Sequence, residues 1–288
     1  MNALTYRDLY DTAFEALSGL PMPDLETREI VSLAGRQCGD DINAESIQSR
    51  YRERIPNGAE KALTGLLERR LCGEPLAYLL GEWDFCGLTL LVNKNVLVPR
   101  ADTETVALKA VKLIREHGFS RVLDLCCGSG CIGCAVLHHT QADVTFIDNS
   151  EPALDVTRAN LDILGFAGRA EVLNADALDE PPAGIGPFDL IVSNPPYVSA
   201  DEMSVLDVEV ATFEPNDALY GGSDGLNFYR AICAYWKDLL LPDGRIVFEI
   251  GMDQADEVSA ILKRNGFSEI EVGQDLSGRD RVVTAVLN

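Results

Sequence analysis

The chain has 288 residues, 47% of them hydrophobic, and a formal net charge of −22 at pH 7, so it is long enough for one large domain and a small accessory domain. Such an acidic surface repels a phosphate backbone, which argues against a protein that binds nucleic acid directly. The first residues lack the basic and apolar segments of a secretion signal, and no apolar run reaches membrane-spanning length, so we expect a cytoplasmic protein with no membrane partner and with reduced cysteines.

Residues 1–75 show the apolar spacing of short helices. The first helical segment follows Thr5, a possible N-cap, and stops at Gly19. Asp24 can cap a second segment, and a third carries a leucine-rich face over residues 62–71. We predict a small helical domain that recognises the substrate.

Residues 76–98 have a different character and read as a linker that contains a β-hairpin. The runs 85–92 and 96–98 are apolar and partly β-branched, as strands are. Polar residues 93–95 separate the two runs and predict the position of the hairpin turn.

Residues 99–288 alternate between strand-like and helical segments, which predicts an α/β fold with a mainly parallel sheet covered on both faces. The predicted strands span residues 121–126, 143–148, 170–174, 188–193, 245–250, 267–272 and 281–287. The predicted helices span residues 103–117, 131–140, 152–164, 225–240 and 253–265. In such a sheet, ligands bind at the carboxyl ends of the strands, near the point where the strand order reverses.

A glycine-rich loop follows the first of these strands and predicts a nucleoside-containing cofactor. Gly128, Gly130 and Gly133 fit the pattern G-x-G-x-x-G, which lets the backbone turn tightly and approach a ligand. Asp148 ends the next strand, where a carboxylate can accept hydrogen bonds from ribose hydroxyls. The loop does not distinguish NAD from S-adenosylmethionine, and a tight turn without a ligand is the alternative.

Three cysteines of the same region, Cys127, Cys131 and Cys134, have the spacing C-x3-C-x2-C by which radical enzymes hold an iron–sulfur cluster. Cys131 and Cys134, however, belong to a predicted helix that packs on the sheet. We therefore expect no metal site.

The fourth predicted strand ends in Asn194, Pro195, Pro196 and Tyr197, a sequence that suits the binding of a planar NH2 group. Consecutive prolines fix the backbone and leave carbonyls free to accept hydrogen bonds. The side chain of Asn194 offers an acceptor and donors, and Tyr197 offers a flat face. A proline-rich turn with no catalytic role is the alternative interpretation.

An amide nitrogen is a poor nucleophile because its lone pair is delocalised into the carbonyl. If the Asn194 oxygen and the Pro195 carbonyl accept its two N–H groups, the lone pair can be aimed at a methyl group on a sulfonium. Catalysis then depends on proximity, orientation and placed dipoles, with no metal.

Asn194, Pro195, Pro196 and Tyr197 resemble the motif of class I methyltransferases that act on adenine N6 in DNA or on protein glutamine. Further segments are similar to the release factor glutamine methyltransferase family and cover nearly the whole chain: residues 74–85, 98–104, 214–226, 248–251 and 275–283. The resemblance implies a Rossmann-like fold and S-adenosylmethionine as cofactor. It also implies methylation of the glutamine in the Gly-Gly-Gln motif of class 1 peptide chain release factors.

The resemblance also implies roles for individual residues. The cofactor loop would consist of Cys126, Cys127, Gly128, Ser129 and Gly130. Asp148 would bind the ribose hydroxyls, Asp176 and Ala177 would border the adenine, and Asn194 would contact both cofactor and substrate. Pro195, Pro196 and Tyr197 would hold the glutamine amide, and Arg100 and Glu104 are further candidates near the methionine end of the cofactor.

Two positions depart from the family pattern. Cys126 and Cys127 replace a glycine and a threonine of the loop, a form that resembles the sister enzymes that methylate ribosomal protein L3. Ala177 stands where a larger residue is common. Residues 102–104 and 278–281 favour the release factor as substrate, and ribosomal protein L3 stays an alternative.

Three other functions remain open. An N6-adenine DNA methyltransferase needs a basic duplex-binding face, which the charge disfavours. An NAD-dependent oxidoreductase gives Asn194 and its neighbours no clear task, and a protein that binds S-adenosylmethionine without turnover does not need them. Residues 198–223 are too long for a plain connection, and we predict that they help to form the substrate groove.

Overall fold

A computed structural model describes residues 4–288 of the chain, and these form two compact units that divide after Gly81. The first unit is helical, with α1 Tyr6–Leu17, α2 Pro23–Gln37, α3 Ala59–Leu71 and α4 Leu76–Leu80. Thr5 caps α1 as predicted: its hydroxyl accepts the Asp8 N–H, and the Asp8 carboxylate accepts the Thr5 N–H. Asp24 lies inside the first turn of α2 and is not its cap.

The second unit begins with the hairpin of β1 Glu82–Phe85 and β2 Leu88–Leu91. Its turn is Cys86–Gly87, with φ values of +49° and +80° at the two residues, as a two-residue hairpin turn requires. The prediction of a turn at residues 93–95 was therefore wrong. The prediction followed the polar side chains at residues 93–95. The turn is instead fixed by the backbone conformation of Cys86 and Gly87 and by a hydrogen bond from the Cys86 N–H to the Glu104 carboxylate (2.8 Å).

A seven-stranded sheet forms the centre of the second unit. Its strands are β3 Arg121–Leu125, β4 Asp143–Asp148, β5 Ala170–Asn174, β6 Phe188–Ser193, β7 Leu240–Glu249, β8 Phe267–Gln274 and β9 Asp280–Leu287. They are arranged in the order β5-β4-β3-β6-β7-β9-β8, and only β9 runs antiparallel to its neighbours. The α/β class and the mainly parallel sheet predicted from the sequence are confirmed.

Helices cover both faces of this sheet, because apolar side chains of β3, β4, β6 and β7 project to both sides. The helices are α5 Ala101–His117, α6 Cys131–His139, α7 Glu151–Leu164, α8 Ala200–Met203, α9 Val208–Phe213, α10 Asn227–Ala231 and α11 Ala255–Arg264. α5, α6 and α7 contribute to the core on one face, and α10 and α11 to the core on the other.

The single helix predicted over residues 225–240 is instead a composite element. α10 has only five residues and continues into a π-helical turn, Ile232–Trp236, and a 3-10 turn, Lys237–Leu239. Trp236 is fully buried there, and its indole N–H donates to the carbonyls of Ala177 and Asp179. Such a change of helical pitch depends on tertiary contacts and has no signal in the apolar spacing.

The strand order reverses between β3 and β6, so the chain segments that leave these two strands diverge to opposite sides of the sheet. This divergence opens a crevice at the carboxyl ends of the strands, where ligands bind in folds of this kind. Among residues 4–288, no helix combines the length and apolar character needed to cross a membrane.

Candidate active site

A cavity of about 500 Å³ lies at the carboxyl ends of β3, β4 and β6. This volume is within the range of small-molecule sites. Most of the predicted site residues line it: Cys126, Cys127, Gly128, Ser129, Asp148, Asp176, Ala177, Asn194 and Pro196. Gly130, Pro195 and Tyr197 lie next to these residues in the chain but do not line the cavity.

The glycines of the loop after β3 serve two different purposes. A Cβ on Gly130 would lie 2.9 Å from the Thr157 methyl group, and one on Gly133 would lie 2.2 Å from the Phe146 ring. These two glycines allow the loop and α6 to pack closely on α7 and on β4. Gly128 has a φ of +56° with open space around its Cβ position, and it lines the cavity, so a ligand can approach its backbone.

Two carboxylates stand at the cavity after adjacent strands. Asp148 ends β4 and accepts the N–H groups of Gly128 and Ser150, each at 2.9 Å. Burial raises the pKa of Asp148, and these two N–H groups oppose the shift. Asp176 follows β5, and the Asn149 side-chain amide donates to it at 3.2 Å. Their remaining lone pairs suit hydroxyl or amine donors of a ligand.

Cys126 occupies a backbone position that favours glycine, with a φ of +62°. This conformation explains why a glycine usually stands at this point of the loop. Burial raises the pKa of the Cys126 thiol well above its ordinary value, so the group is a neutral thiol near neutral pH. Cys131 and Cys134 lie on α6 and pack into the core, as predicted for helical residues.

Two hydrogen bonds attach the side chains of Asn194 and Tyr197 to neighbouring elements. Asn194 Nδ2 donates to Thr103 Oγ1 on α5 at 3.3 Å. Tyr197 Oη donates to Glu249 Oε1 at the end of β7 at 3.4 Å. The Tyr197 hydroxyl is thus directed at Glu249. The sequence contained Thr103 and Glu249 within the segments that carry the family resemblance, but no spacing linked either residue to Asn194.

The backbone of Pro196 and Tyr197 packs closely against Gly221 and Gly225 and accepts a hydrogen bond from Gln254. A Cβ on Gly221 would lie 2.6 Å from the Pro196 carbonyl oxygen, and one on Gly225 would lie 2.3 Å from that of Tyr197. Gln254 Nε2 also donates to the Tyr197 carbonyl at 3.0 Å. These contacts restrict the backbone of residues 194–197, the turn after β6.

Residues 198–223 fold into α8, α9 and a 3-10 turn and then return to the cavity. Pro215, Asp217 and Ala218 line the cavity. Glu214 is buried and accepts a hydrogen bond from Arg100 Nη2 at 2.6 Å, and Arg100 also lines the cavity. Arg100 therefore connects the start of α5 to this segment, whereas Glu104, also on α5, accepts the Cys86 N–H of the hairpin turn.

Two family models match the chain: the PrmC N-terminal domain over residues 12–81 and the methyltransferase small domain over residues 100–213. The release factor glutamine methyltransferase of Clostridium acetobutylicum is 40% identical over 213 residues, which cover 74% of this chain and 75% of the relative. That of Caulobacter vibrioides is 36% identical and covers 94% of this chain and 92% of the relative. A methyltransferase structure from Pyrococcus furiosus shares the fold, with a TM-score of 0.51, 18% identity, and coverage of 77% of this chain and 98% of that one.

Proposed function

The chain belongs to the release factor glutamine methyltransferase family, and from this premise we propose that it methylates the side-chain amide nitrogen of the glutamine in the Gly-Gly-Gln motif of class 1 peptide chain release factors. The observation that carries the proposal is the position of Asn194. Its side chain lies at the end of β6, on the wall of the same cavity that the glycine loop and Asp148 line. An acceptor for an NH2 group therefore stands beside a site suited to a nucleoside.

The residues of the cavity fit S-adenosylmethionine. The open space at Gly128 admits close backbone approach, and Asp148 would accept the two ribose hydroxyls. Asp176 and Ala177 would border the adenine. When bound, this cofactor supplies an electrophilic methyl group on a sulfonium.

The protein contributes orientation of the substrate amide. With Nδ2 of Asn194 engaged by Thr103, Oδ1 is the atom that remains to accept an N–H from the glutamine. The carbonyl of Pro195 is the second proposed acceptor, and the packing of Gly221 against the Pro196 carbonyl keeps this turn rigid. Holding both N–H groups directs the nitrogen lone pair, and such fixed geometry is worth several kcal/mol of barrier, on the order of a thousandfold or more in rate.

Ribosomal protein L3 is the second candidate substrate, because the cysteines at positions 126 and 127 are the form that resembles the sister enzymes. Transfer of a tritiated methyl group distinguishes the candidates when release factor, ribosomal protein L3 and duplex DNA are each incubated with the enzyme and labelled cofactor. We expect label in the release factor and none with Asn194→Ala. Label in ribosomal protein L3 alone would assign the chain to the sister substrate, and label in DNA alone would refute glutamine methylation.

A further inference from the structure

The carboxamide of Asn194 can sit in two orientations that differ by a half turn, and only one presents its oxygen to the cavity. The observed contact is Nδ2 donating to Thr103 Oγ1. A hydroxyl can donate or accept a hydrogen bond, so Thr103 alone would be satisfied by either orientation. The direction of the Thr103 hydroxyl proton therefore depends on a further neighbouring group that can accept it.

Glu249 is the neighbouring group that can accept the Thr103 hydroxyl proton. Its carboxyl group is only 2% exposed at the end of β7; burial raises its pKa, and the hydroxyls of Thr103 and Tyr197 oppose that rise. Its Oε1 accepts the Tyr197 hydroxyl, and Oε2 is buried with no hydrogen-bond partner among residues 4–288. In its ionised form this carboxyl group only accepts hydrogen bonds, so its unpaired Oε2 is the acceptor toward which the Thr103 hydroxyl can turn its proton. The Thr103 oxygen can then only accept, and Asn194 must offer its NH2 group.

We propose that Glu249 and Thr103 are positioning residues that fix the orientation of the Asn194 carboxamide, with Nδ2 toward Thr103 and Oδ1 toward the cavity. One buried carboxylate thereby holds both polar side chains of the turn after β6, Asn194 through Thr103 and Tyr197 directly. The catalytic consequence rests on the proposed function, because the orientation matters only if a substrate N–H is received at Asn194.

The surroundings of Glu249 keep this arrangement in place. The Tyr229 hydroxyl donates to the Glu249 backbone carbonyl at 2.8 Å. Arg281, which is buried and pairs with Asp102 at 3.2 Å, stabilises the carboxylate electrostatically. Burial nevertheless raises the pKa of Glu249 to about 7, so keeping this carboxyl group charged has an energetic cost.

Thr103→Val removes the hydroxyl at nearly constant volume, and Thr103→Ser keeps it. The first measurement is the side-chain amide NMR signal of Asn194 in nitrogen-15-labelled protein, identified by its loss in Asn194→Asp. We expect one slowly exchanging NH2 proton in the wild type and in Thr103→Ser, and loss of that protection in Thr103→Val. Equal protection in the wild type and Thr103→Val would overturn the proposal, whether or not the protein methylates a release factor.

The second measurement is the kinetics of methyl transfer to release factor. We expect kcat to fall roughly 10- to 100-fold in Thr103→Val, with recovery of most of that loss in Thr103→Ser and a much smaller change in KM. Glu249→Gln should lower kcat in the same way, and the double variant Thr103→Val/Glu249→Gln should be little worse than Thr103→Val alone. Thr145→Val, a buried threonine on β4, is the matched control and should leave kcat unchanged.

The kinetic outcomes separate the two proposals. If wild-type enzyme fails to methylate any release factor, the proposed function fails, and the NMR comparison still decides the orientation of Asn194. If the wild type is active and Thr103→Ser loses as much kcat as Thr103→Val, or if Thr145→Val loses as much, the threonine has a packing role and the positioning proposal is refuted.

Discussion

A single buried carboxyl group, Asp124, connects the glycine loop to the centre of the sheet. It lies within β3, and its Oδ2 accepts the Gly133 N–H at 2.8 Å. The absence of a side chain at position 133 makes room for this contact beside Phe146. Burial raises the pKa of Asp124 to about 7, against the opposing effect of the Gly133 N–H and with a smaller contribution from the charge of Asp148. The residue therefore supports the loop at an energetic cost that depends on pH.

The free energy of unfolding should fall as the pH rises from about 4 to about 7. Across that window the folded chain keeps a proton on Asp124 that the unfolded chain has lost, and the cost levels off above the folded-state pKa. Asp124→Asn should flatten this fall by an amount on the order of a few kcal/mol, and the slope due to Glu249 should remain. Denaturant unfolding at several pH values measures both slopes. Asp143→Asn, at an exposed position of β4, should behave as wild type; equal slopes in the wild type and Asp124→Asn would refute this account.

At the scale of elements, the turn after β6 is held by a segment that starts and ends beside it. The segment is residues 198–223, and its two ends pair with each other. The Val198 N–H donates to the Leu219 carbonyl and the Gly221 N–H donates to the Val198 carbonyl, both at 2.9 Å. Between these points the chain forms α8 and α9, and it exposes the apolar side chains of Val205, which lies between the two helices, and Val208, on α9. The same segment thus supports the turn after β6 and carries exposed apolar side chains.

Gly221→Ala should disturb the turn even though its backbone conformation suits alanine. The added methyl group would lie 2.6 Å from the Pro196 carbonyl oxygen and 2.8 Å from Tyr197 Cα, which are rigid backbone atoms. We expect a loss of stability on the order of 1–3 kcal/mol, as in other overpacked sites, together with reduced methyl transfer. Gly168→Ala, where the new Cβ meets nothing within 4 Å, is the control. A Gly221→Ala variant as stable and active as Gly168→Ala would contradict the packing argument.

Val205 and Val208 are 80% and 73% exposed, which is unusual for valine and is consistent with the predicted substrate groove. Changing both to glutamate should raise KM for the release factor about tenfold or more, because two apolar contacts are lost, and should spare the Kd of the cofactor. Titration calorimetry and initial rates measure the two effects. Ile163→Glu provides a control on α7 at a side chain that is 66% exposed. An unchanged KM in the double variant would show that these two residues of the segment 198–223 do not contact the substrate.

At the scale of the whole molecule, the sheet could be predicted from the sequence and the polar network could not. β3, β4 and β6 are apolar runs that are largely buried, and β5 is a short strand with no buried residue; each was found within one residue of its observed bounds. The hairpin turn was misplaced because a polar cluster at 93–95 resembled a turn more closely than Cys86–Gly87 did. The contact of Asn194 with Thr103 joins residues 91 positions apart, and only the folded chain brings them together.

The net charge of −22 carries a prediction for the whole molecule. A protein of this charge should show no measurable affinity for duplex DNA at moderate salt, because contacts to phosphate require a basic surface. Fluorescence anisotropy with a labelled duplex tests this directly. Micromolar or tighter binding that weakens steeply with added salt would revive the N6-adenine alternative.

The most direct test of the central claim is tandem mass spectrometry of a release factor after incubation with the enzyme and S-adenosylmethionine. We predict a single added methyl group on the side-chain nitrogen of the Gly-Gly-Gln glutamine, and its absence with Asn194→Ala. A methyl group on any other residue of the release factor, or the same product from Asn194→Ala, would contradict the role assigned to Asn194 and the function proposed for the cavity.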